Sequence, residues 1–171
     1  MILLTERLRL EPLSRADAAE VDPLMSDPEV MAHWDAPEID DPDVVAGVVA
    51  QQVADTEAGT SRYWTMRALA DGAFVGVCDL SQIDRAHHKA DVGFMLIREA
   101  WGRGYALEAM RAVIAHAAGE GFKTLTARTH LGNRRSEALL LNLGFVDDGR
   151  VRGMIERDGE RRDCRLWRLT L

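Results

Sequence analysis

Between Asp91 and about Gly119 the chain passes from one periodicity to another with almost no connecting loop. The run from Ala90 to Ile97 reads as a strand, Trp101-Gly102-Arg103-Gly104 as a tight turn, and Tyr105 onward as a long helix. Leu107, Met110, Val113 and Ile114 form the apolar stripe of that helix. A strand that enters a helix across a glycine turn demands a layered arrangement of helix against sheet, and this limits the fold more than any other stretch. The turn also has chemical consequences. The first amides of such a helix lack intrahelical partners and sit at the positive end of its dipole, and glycines let the backbone approach an anion closely. No G-x-x-x-x-G-K-[ST] pattern is present, which excludes a nucleotide-triphosphate loop, and the third glycine of a dinucleotide fingerprint is absent.

The rest of the chain supplies more strands and helices. Leu4 to Leu13 alternates as one strand, with Ser14 as a helix N-cap and Asp17 as its capping partner. Asp27-Pro28-Glu29 starts another helix, and a Pro- and Asp-rich loop, Ala36 to Pro42, leads into a helix from about Asp43 to Glu57. Arg62 to Leu69, Asp71-Gly72 and Phe74 to Ile83 read as a hairpin. Phe145 to Ile155, Asp158-Gly159 and Cys164 to Leu169 read as a second one. Between the hairpins lie a strand, Leu125 to Thr129, and a helix, Ser136 to Leu143, closed by Gly144. The expected class is α+β, with helices and strands mixed around one sheet. With 171 residues, no repeat and no linker, residues 1–171 are expected to form one domain.

Composition narrows the function classes. A chain that is 47% apolar and 29% charged is globular and not disordered, and its longest uncharged stretch, Val44 to Ala54, is too short to cross a bilayer. No secretory signal is visible at the start. Cys78 and Cys164 fit no zinc or redox spacing, and buried reduced thiols in a cytoplasmic protein are expected. The net charge of −7 argues against a nucleic-acid binder. Of the 28 acidic residues, 12 fall between Ala16 and Ser61, a span without Lys or Arg, which leaves 16 acids against all 21 bases elsewhere. Two readings stand: an acidic solvated surface, or a negative wall that attracts a cationic substrate while an anionic ligand sits on the basic remainder.

A second constellation follows about thirty residues after the glycine turn: Asn133-Arg134-Arg135-Ser136 opening a short amphipathic helix that ends Leu143-Gly144-Phe145. By itself Asn133 reads equally well as a helix cap. Together the two segments resemble the GNAT superfamily of acetyl-CoA-dependent N-acetyltransferases. Trp101 to Ala106 is similar to the pyrophosphate loop of that family, (Gln/Arg)-x-x-Gly-x-(Gly/Ala), and Asn133 to Phe145 to its Asn-x-x-Ser … Leu-Gly-Phe segment. Thr5-Glu6-Arg7-Leu8-Arg9-Leu10-Glu11-Pro12-Leu13 and Asp27-Pro28-Glu29-Val30-Met31 resemble the branch containing the RimJ/RimL ribosomal-protein alanine acetyltransferases. Two departures stand out: Trp101 replaces the usual Gln/Arg, and Leu140 occupies the place of a Tyr that protonates the leaving thiolate.

The resemblance implies a mostly antiparallel twisted sheet of about seven strands flanked by about four helices. It implies acetyl-CoA as co-substrate, no metal, and direct attack of a primary amine on the thioester. The acceptor would be a protein N-terminal α-amine or a small cationic amine, with a homodimer possible and no nucleic-acid or membrane partner. Carried over residue by residue, the amides of Gly102, Arg103, Gly104, Tyr105, Ala106 and Leu107 would hold the pyrophosphate. Phe94, Met95 and Leu96 would pair with the pantetheine arm and polarise the thioester carbonyl, and Asn133 would bond that arm or a water. With Leu140 unable to donate, Ser136 is the remaining stabiliser of the thiolate. Asp91 stands where relatives often carry Glu and is a candidate base, with Glu156, Asp35 and Glu38 as others. His33, Trp34 and Asp35 are candidates for the acceptor pocket, and His130 for a substrate contact. Arg103, Arg134 and Arg135 are candidates for the CoA phosphates, and His87-His88 reads as a solvated loop. A CoA-binding module without turnover is the alternative that Leu140 keeps open.

Overall fold

A computed structural model describes residues 1–171. Its frame is an eight-stranded sheet in the order β1-β2-β3-β4-β5-β6-β8-β7, formed by Leu3–Leu4, Leu8–Pro12, Arg62–Ala68, Phe74–Asp84, Lys89–Leu96, Thr124–His130, Val146–Arg157 and Glu160–Thr170 as β1 to β8. Every neighbouring pair is antiparallel except β5 and β6, which run parallel because α4 (Tyr105–Gly119) crosses between them. The other helices are α1 (Ala18–Met25), α2 (Pro28–Met31), α3 (Pro42–Glu57) and α5 (Arg134–Asn142).

One strand expected from Leu4 to Leu13 is two. The chain doubles back at Thr5–Arg7, so that Leu3 lies opposite Leu10 and Leu4 opposite Arg9. Thr5 makes this turn: its hydroxyl oxygen accepts the Leu8 N–H at 2.9 Å while its own N–H donates to the Leu8 carbonyl at 2.9 Å. That break accounts for the eighth strand. Ser14 starts a short 3₁₀ turn, Arg15–Asp17, and its N–H and hydroxyl both donate to the Asp17 carboxylate at 2.7 Å before α1 begins. The final hairpin turns on Asp158 and Gly159, both with left-handed φ (+55° and +74°), which is the two-residue turn that matches strand twist.

The pleat sends alternate side chains to opposite faces. Leu8, Leu10, Trp64, Met66, Cys78, Leu80, Ala90 and Val92 pack with Ala109, Met110, Val113 and Ala117 of α4 on one face. On the other, Tyr63, Phe74 and Val77 pack with Val21 and Met25 of α1 and Val45 and Val49 of α3. Met95 of β5 meets Leu24, Val30 and Met31 beside them. Cys78 and Cys164 are both buried free thiols. No helix is long and apolar enough to cross a membrane.

At Gly76 the backbone of β4 leaves no room for a side chain beside β5. A Cβ there would stand 2.1 Å from the Met95 carbonyl oxygen and 2.8 Å from the Leu96 Cα, both of them backbone atoms that cannot step aside. Gly76→Ala should therefore cost about 3 kcal/mol, the upper end of overpacking penalties. Gly72→Ala, in a turn with open space around it, should cost only the roughly 1–2 kcal/mol of a left-handed non-glycine residue. Urea denaturation compares the two, and a Gly76→Ala loss no larger than that of Gly72→Ala would contradict the close approach.

Candidate active site

The site begins where β5 and β6 part. They pair only through Lys89–Thr124, Ala90–Leu125 and Asp91–Thr126. Beyond these rungs β5 continues against β4 as far as Leu96, and β6 continues against β8 as far as His130. Residues 92–96 therefore present an unpaired edge in the middle of a sheet. Ile97 N–H donates to the Val75 carbonyl on β4 at 3.1 Å. Backbone groups alternate in direction along a strand, so Met95 and Gly93 also bond towards β4, whereas Phe94 and Leu96 point into the opening. The Trp101 indole N–H donates to the Leu96 carbonyl at 2.9 Å. Phe94 keeps a donor and an acceptor that face the gap and call for a partner. At the vertex, the Thr126 hydroxyl donates to the Asp91 carboxylate.

The open edge leads to the N-terminus of α4. Gly102 and Gly104 adopt φ of +73° and +80°, and Gly104 caps the helix with no side chain assisting. The first main-chain bond of the helix is Glu108 N–H to Gly104 O, at 3.1 Å, so the amides of Tyr105, Ala106 and Leu107 have no intrahelical acceptor. A Cβ on Gly102 would meet nothing within 4 Å, and one on Gly104 only the Arg7 Nη2 atom at 3.4 Å. This is a cradle of free amides, open on one side and bordered by a guanidinium, and it fits a pyrophosphate.

The cradle is held by residues that the sequence reading passed over. Glu108 accepts the Thr5 hydroxyl at 2.6 Å and both the N–H and the Nε–H of Arg7 at 2.7 Å. Partial burial would raise the Glu108 carboxyl, but these hydrogen bonds outweigh it and hold the group below the ordinary glutamate range. Arg7 further donates to the Arg103 carbonyl at 3.0 Å and lies over the Tyr105 ring at 4.8 Å. Arg135 stacks on Trp101 at 4.6 Å. Arg103, Arg134 and Arg135 are exposed on this side.

The second segment divides. Asn133 is the N-cap of α5, its Oδ1 accepting the Ser136 N–H at 3.3 Å, so its carbonyl oxygen is committed to the helix. Ser136 lies half-buried in the first turn of α5. Leu140 is 1% exposed and packs in the core with Phe145 and Trp167.

Where β6 ends at His130 lies a cleft of about 530 Å³ lined by Ala32, His33, His130, Leu131, Arg161, Arg162 and Asp163. The His33 and His130 rings meet edge to face at 6.3 Å. His130 is buried and its Nε2 lies 3.1 Å from Asp35 Oδ1, and Asp35 also pairs with Arg128 at 3.3 Å. Partial burial first, then the neighbouring His130, Arg157 and Arg162, hold the His33 pKa below the ordinary histidine value. Trp34 does not line this cleft; it packs on Leu24, Val30, Met31 and Met95. The loop that carries these residues is clamped by buried Arg157, which donates to the carbonyls of Met31 and Trp34 and pairs with Glu38 at 3.3 Å. Glu156 is exposed on β7, across the hairpin from Arg161. His87 pairs with Asp84 in an exposed turn, and no three His, Cys, Asp or Glu side chains converge as metal ligands.

The acidic span has a structural use. Asp17, Glu20, Asp27, Glu29, Asp35 and Glu38, six of its twelve acids, pair with Arg67, Arg98, Arg128 or Arg157 of the basic remainder. Asp27 and Asp41 also cap α2 and α3.

One more carboxylate stands one strand in from the opening and was not among the sequence candidates. Asp79 on β4 stands between Tyr63 on β3 and Gly93 on β5 in a cross-strand row. Burial first, with the Ser81 hydrogen bond opposing and the Asp91 charge adding, pushes its carboxyl up to about 6. The available signal was a single charge in the otherwise apolar run from Val75 to Leu80.

Residues 7–146 match the acetyltransferase (GNAT) domain family. The chain is 27% identical to the uncharacterised N-acetyltransferase p20 of Bacillus licheniformis over 98% of its own length and 94% of that protein. Its fold superposes on the RimL ribosomal L7/L12 α-N-protein acetyltransferase, solved with coenzyme A, with a TM-score of 0.92 at 15% identity, covering 100% of this chain and 98% of that one. It is also similar to spermidine N-acetyltransferase from Vibrio cholerae, solved with CoA and spermine, with a TM-score of 0.84 at 16% identity and 95% of each chain covered.

Gly104→Val puts a branched side chain at a left-handed position, against Arg7 and across the free amides. Calorimetry should show CoA binding weakened at least about tenfold, or about 1.4 kcal/mol. Unchanged affinity in a folded variant would remove the cradle from the site.

Proposed function

The chain belongs to the GNAT acetyltransferases, and from that premise we propose that it transfers the acetyl group of acetyl-CoA to a primary amine, either the N-terminal α-amine of a protein or a small cationic amine. The observation that carries this reading is the open edge at Phe94 running into the uncapped start of α4. An extended amide-bearing arm ending in a diphosphate matches both halves of that surface. Its thioester supplies an activated acetyl group.

The chain's own residues then have distinct tasks. Tyr105, Ala106 and Leu107 bind the diphosphate through their amides, with Arg7, Arg103 and Arg135 adding positive charge. Phe94 takes the place of a missing neighbour strand for the arm, and its N–H is aimed where charge develops on the carbonyl oxygen. Asp91, fixed by Thr126 at the vertex, supplies negative charge that draws an ammonium to the reacting end. Asn133 holds Ser136 in the first turn of α5, and the Ser136 hydroxyl donates a hydrogen bond to the departing sulfur. His33, His130 and Asp35 border the path by which the amine enters. An α-amine suits such a site because its pKa of about 7.7–8.0 leaves roughly a tenth to a fifth neutral at pH 7.

Leu140 favours a second reading, a CoA-binding module without turnover, since no hydroxyl can act from that core position. One assay separates the two. Thiol release from acetyl-CoA, measured with an alanine-initiated peptide and with spermidine, should exceed the amine-free rate for at least one of them; tight CoA binding without release would establish the binding module. In the active enzyme, Ser136→Ala should lower kcat about tenfold with the affinity for CoA unchanged, because the bond to sulfur matters only as the C–S bond breaks. Equal kcat in variant and parent would assign the task to water.

A further inference from the structure

We propose that Asp79 is the catalytic residue that takes the proton from the incoming ammonium, and that the absent side chain of Gly93 is what lets its carboxylate lie over β5 beside the open edge. This rests on the acetyl-transfer reading above. The geometry is specific. A Cβ on Gly93 would stand 2.4 Å from Asp79 Oδ2, 3.2 Å from its Cγ and 3.3 Å from its Oδ1, so the whole carboxylate rests on the Gly93 α-carbon. Gly93 has no left-handed φ that would require a glycine; the space is taken by the carboxylate. The next residue is Phe94, whose main chain faces the opening. Asp79 shares its face of the sheet with Tyr63 and so lies on the side of α1 to α3, away from α4 and its cradle.

The surroundings leave this carboxylate free to accept a proton. Tyr63 faces it from β3, Ser81 adjoins it on β4, and Asp91 lies diagonally across on β5; from α3, Asp55 acts on Tyr63. No Lys, Arg or His offsets its charge. The other candidates differ. Asp35 is engaged by Arg128 and His130 and Glu38 by Arg157, while Glu156 is exposed away from the vertex; Asp91 accepts the Thr126 hydroxyl as Asp79 accepts that of Ser81, and Asp91→Asn separates the two. Burial and the Asp91 charge hold the Asp79 carboxyl near 6, close to working pH, where a group is both ionised and basic enough to act.

The step balances. The ammonium gives one proton to an Asp79 oxygen and becomes a neutral amine. Its lone pair forms the N–C bond to the acetyl carbon, the C–S bond breaks, and the sulfur leaves with that electron pair. The second proton shed by nitrogen ends on the sulfur through the Ser136 side, and Asp79 returns its proton to solvent.

The test is the pH profile of thiol release, with an alanine-initiated peptide and spermidine as acceptors, for the full-length protein and three variants. The parent should lose kcat/KM for the amine as pH falls through about 6. Asp79→Asn should lose about 100-fold or more, together with that limb, and keep its affinity for acetyl-CoA. Gly93→Ala retains every titrating group but must push the carboxylate aside; it should lose at least about tenfold in kcat with KM for acetyl-CoA unchanged. It also carries the test should Asp79→Asn fail to fold. Asp91→Asn removes a negative neighbour and should move the limb to lower pH. Full activity with an intact limb in Asp79→Asn, or parental kcat in Gly93→Ala, would overturn the assignment of Asp79 and leave acetyl transfer standing. A parent that binds acetyl-CoA but releases no thiol with either amine would overturn the underlying reading and this proposal with it.

Discussion

The site depends on a parallel pairing that stops after three rungs. Parallel strands normally lie within a sheet with both edges satisfied. Here β5 and β6 touch at Lys89–Asp91 and Thr124–Thr126 and then diverge, each held by its antiparallel partner on the other side. The divergence leaves unpaired main-chain groups next to a buried core, which is costly unless something occupies them. The Leu96 carbonyl is satisfied within the protein by the Trp101 indole, whereas both main-chain groups of Phe94 face the gap. The opening thus offers main-chain hydrogen-bond partners of the kind an extended, amide-bearing molecule would use. The crossover that makes β5 and β6 parallel also delivers the start of α4 to the same end of the gap.

Charge holds the two sides of this opening together. The acidic span from Ala16 to Ser61 carries α1, α2 and α3, and the arginines that meet it come from β3, the turn after β5, β6 and β7. Surface ion pairs contribute little individually, about 0–1 kcal/mol. Arg157 is different: it is 7% exposed and satisfies two main-chain carbonyls as well as Glu38. It fixes the loop at Met31–Glu38 to the final hairpin and thereby sets one wall of the cleft at His33 and His130. On the other side Glu108 plays a comparable part, pinning the Thr5–Arg7 turn to the first turn of α4.

What could be read beforehand was whatever local chemistry dictates. The Asp158-Gly159 turn, the Gly144 helix stop and the glycine turn before Tyr105 all announce themselves through residues that few other conformations suit. The placement of Asn133 as a cap was equally visible, because a cap needs only its own next three residues. Features that depend on distant partners were not. The alternation from Leu4 to Leu13 gave no warning of the break at Thr5, since the local Thr5–Leu8 bonds are reinforced by bonds of Thr5 and Arg7 to the distant Glu108. The acid-only span could equally be a surface or a wall until its arginine partners were placed. Beyond its charge, nothing near Asp79 in the sequence singles it out, because Gly93, which makes room for it, is fourteen residues away.

On this reading the Phe94 main chain stands unpaired until acetyl-CoA completes it. Residue-resolved amide hydrogen exchange tests it most directly. Without ligand, the Phe94 N–H should exchange far faster than that of Met95, which is bonded to β4, and saturation with acetyl-CoA should slow Phe94 selectively. A Phe94 amide already as protected as Met95, or one that acetyl-CoA leaves unchanged, would contradict the account.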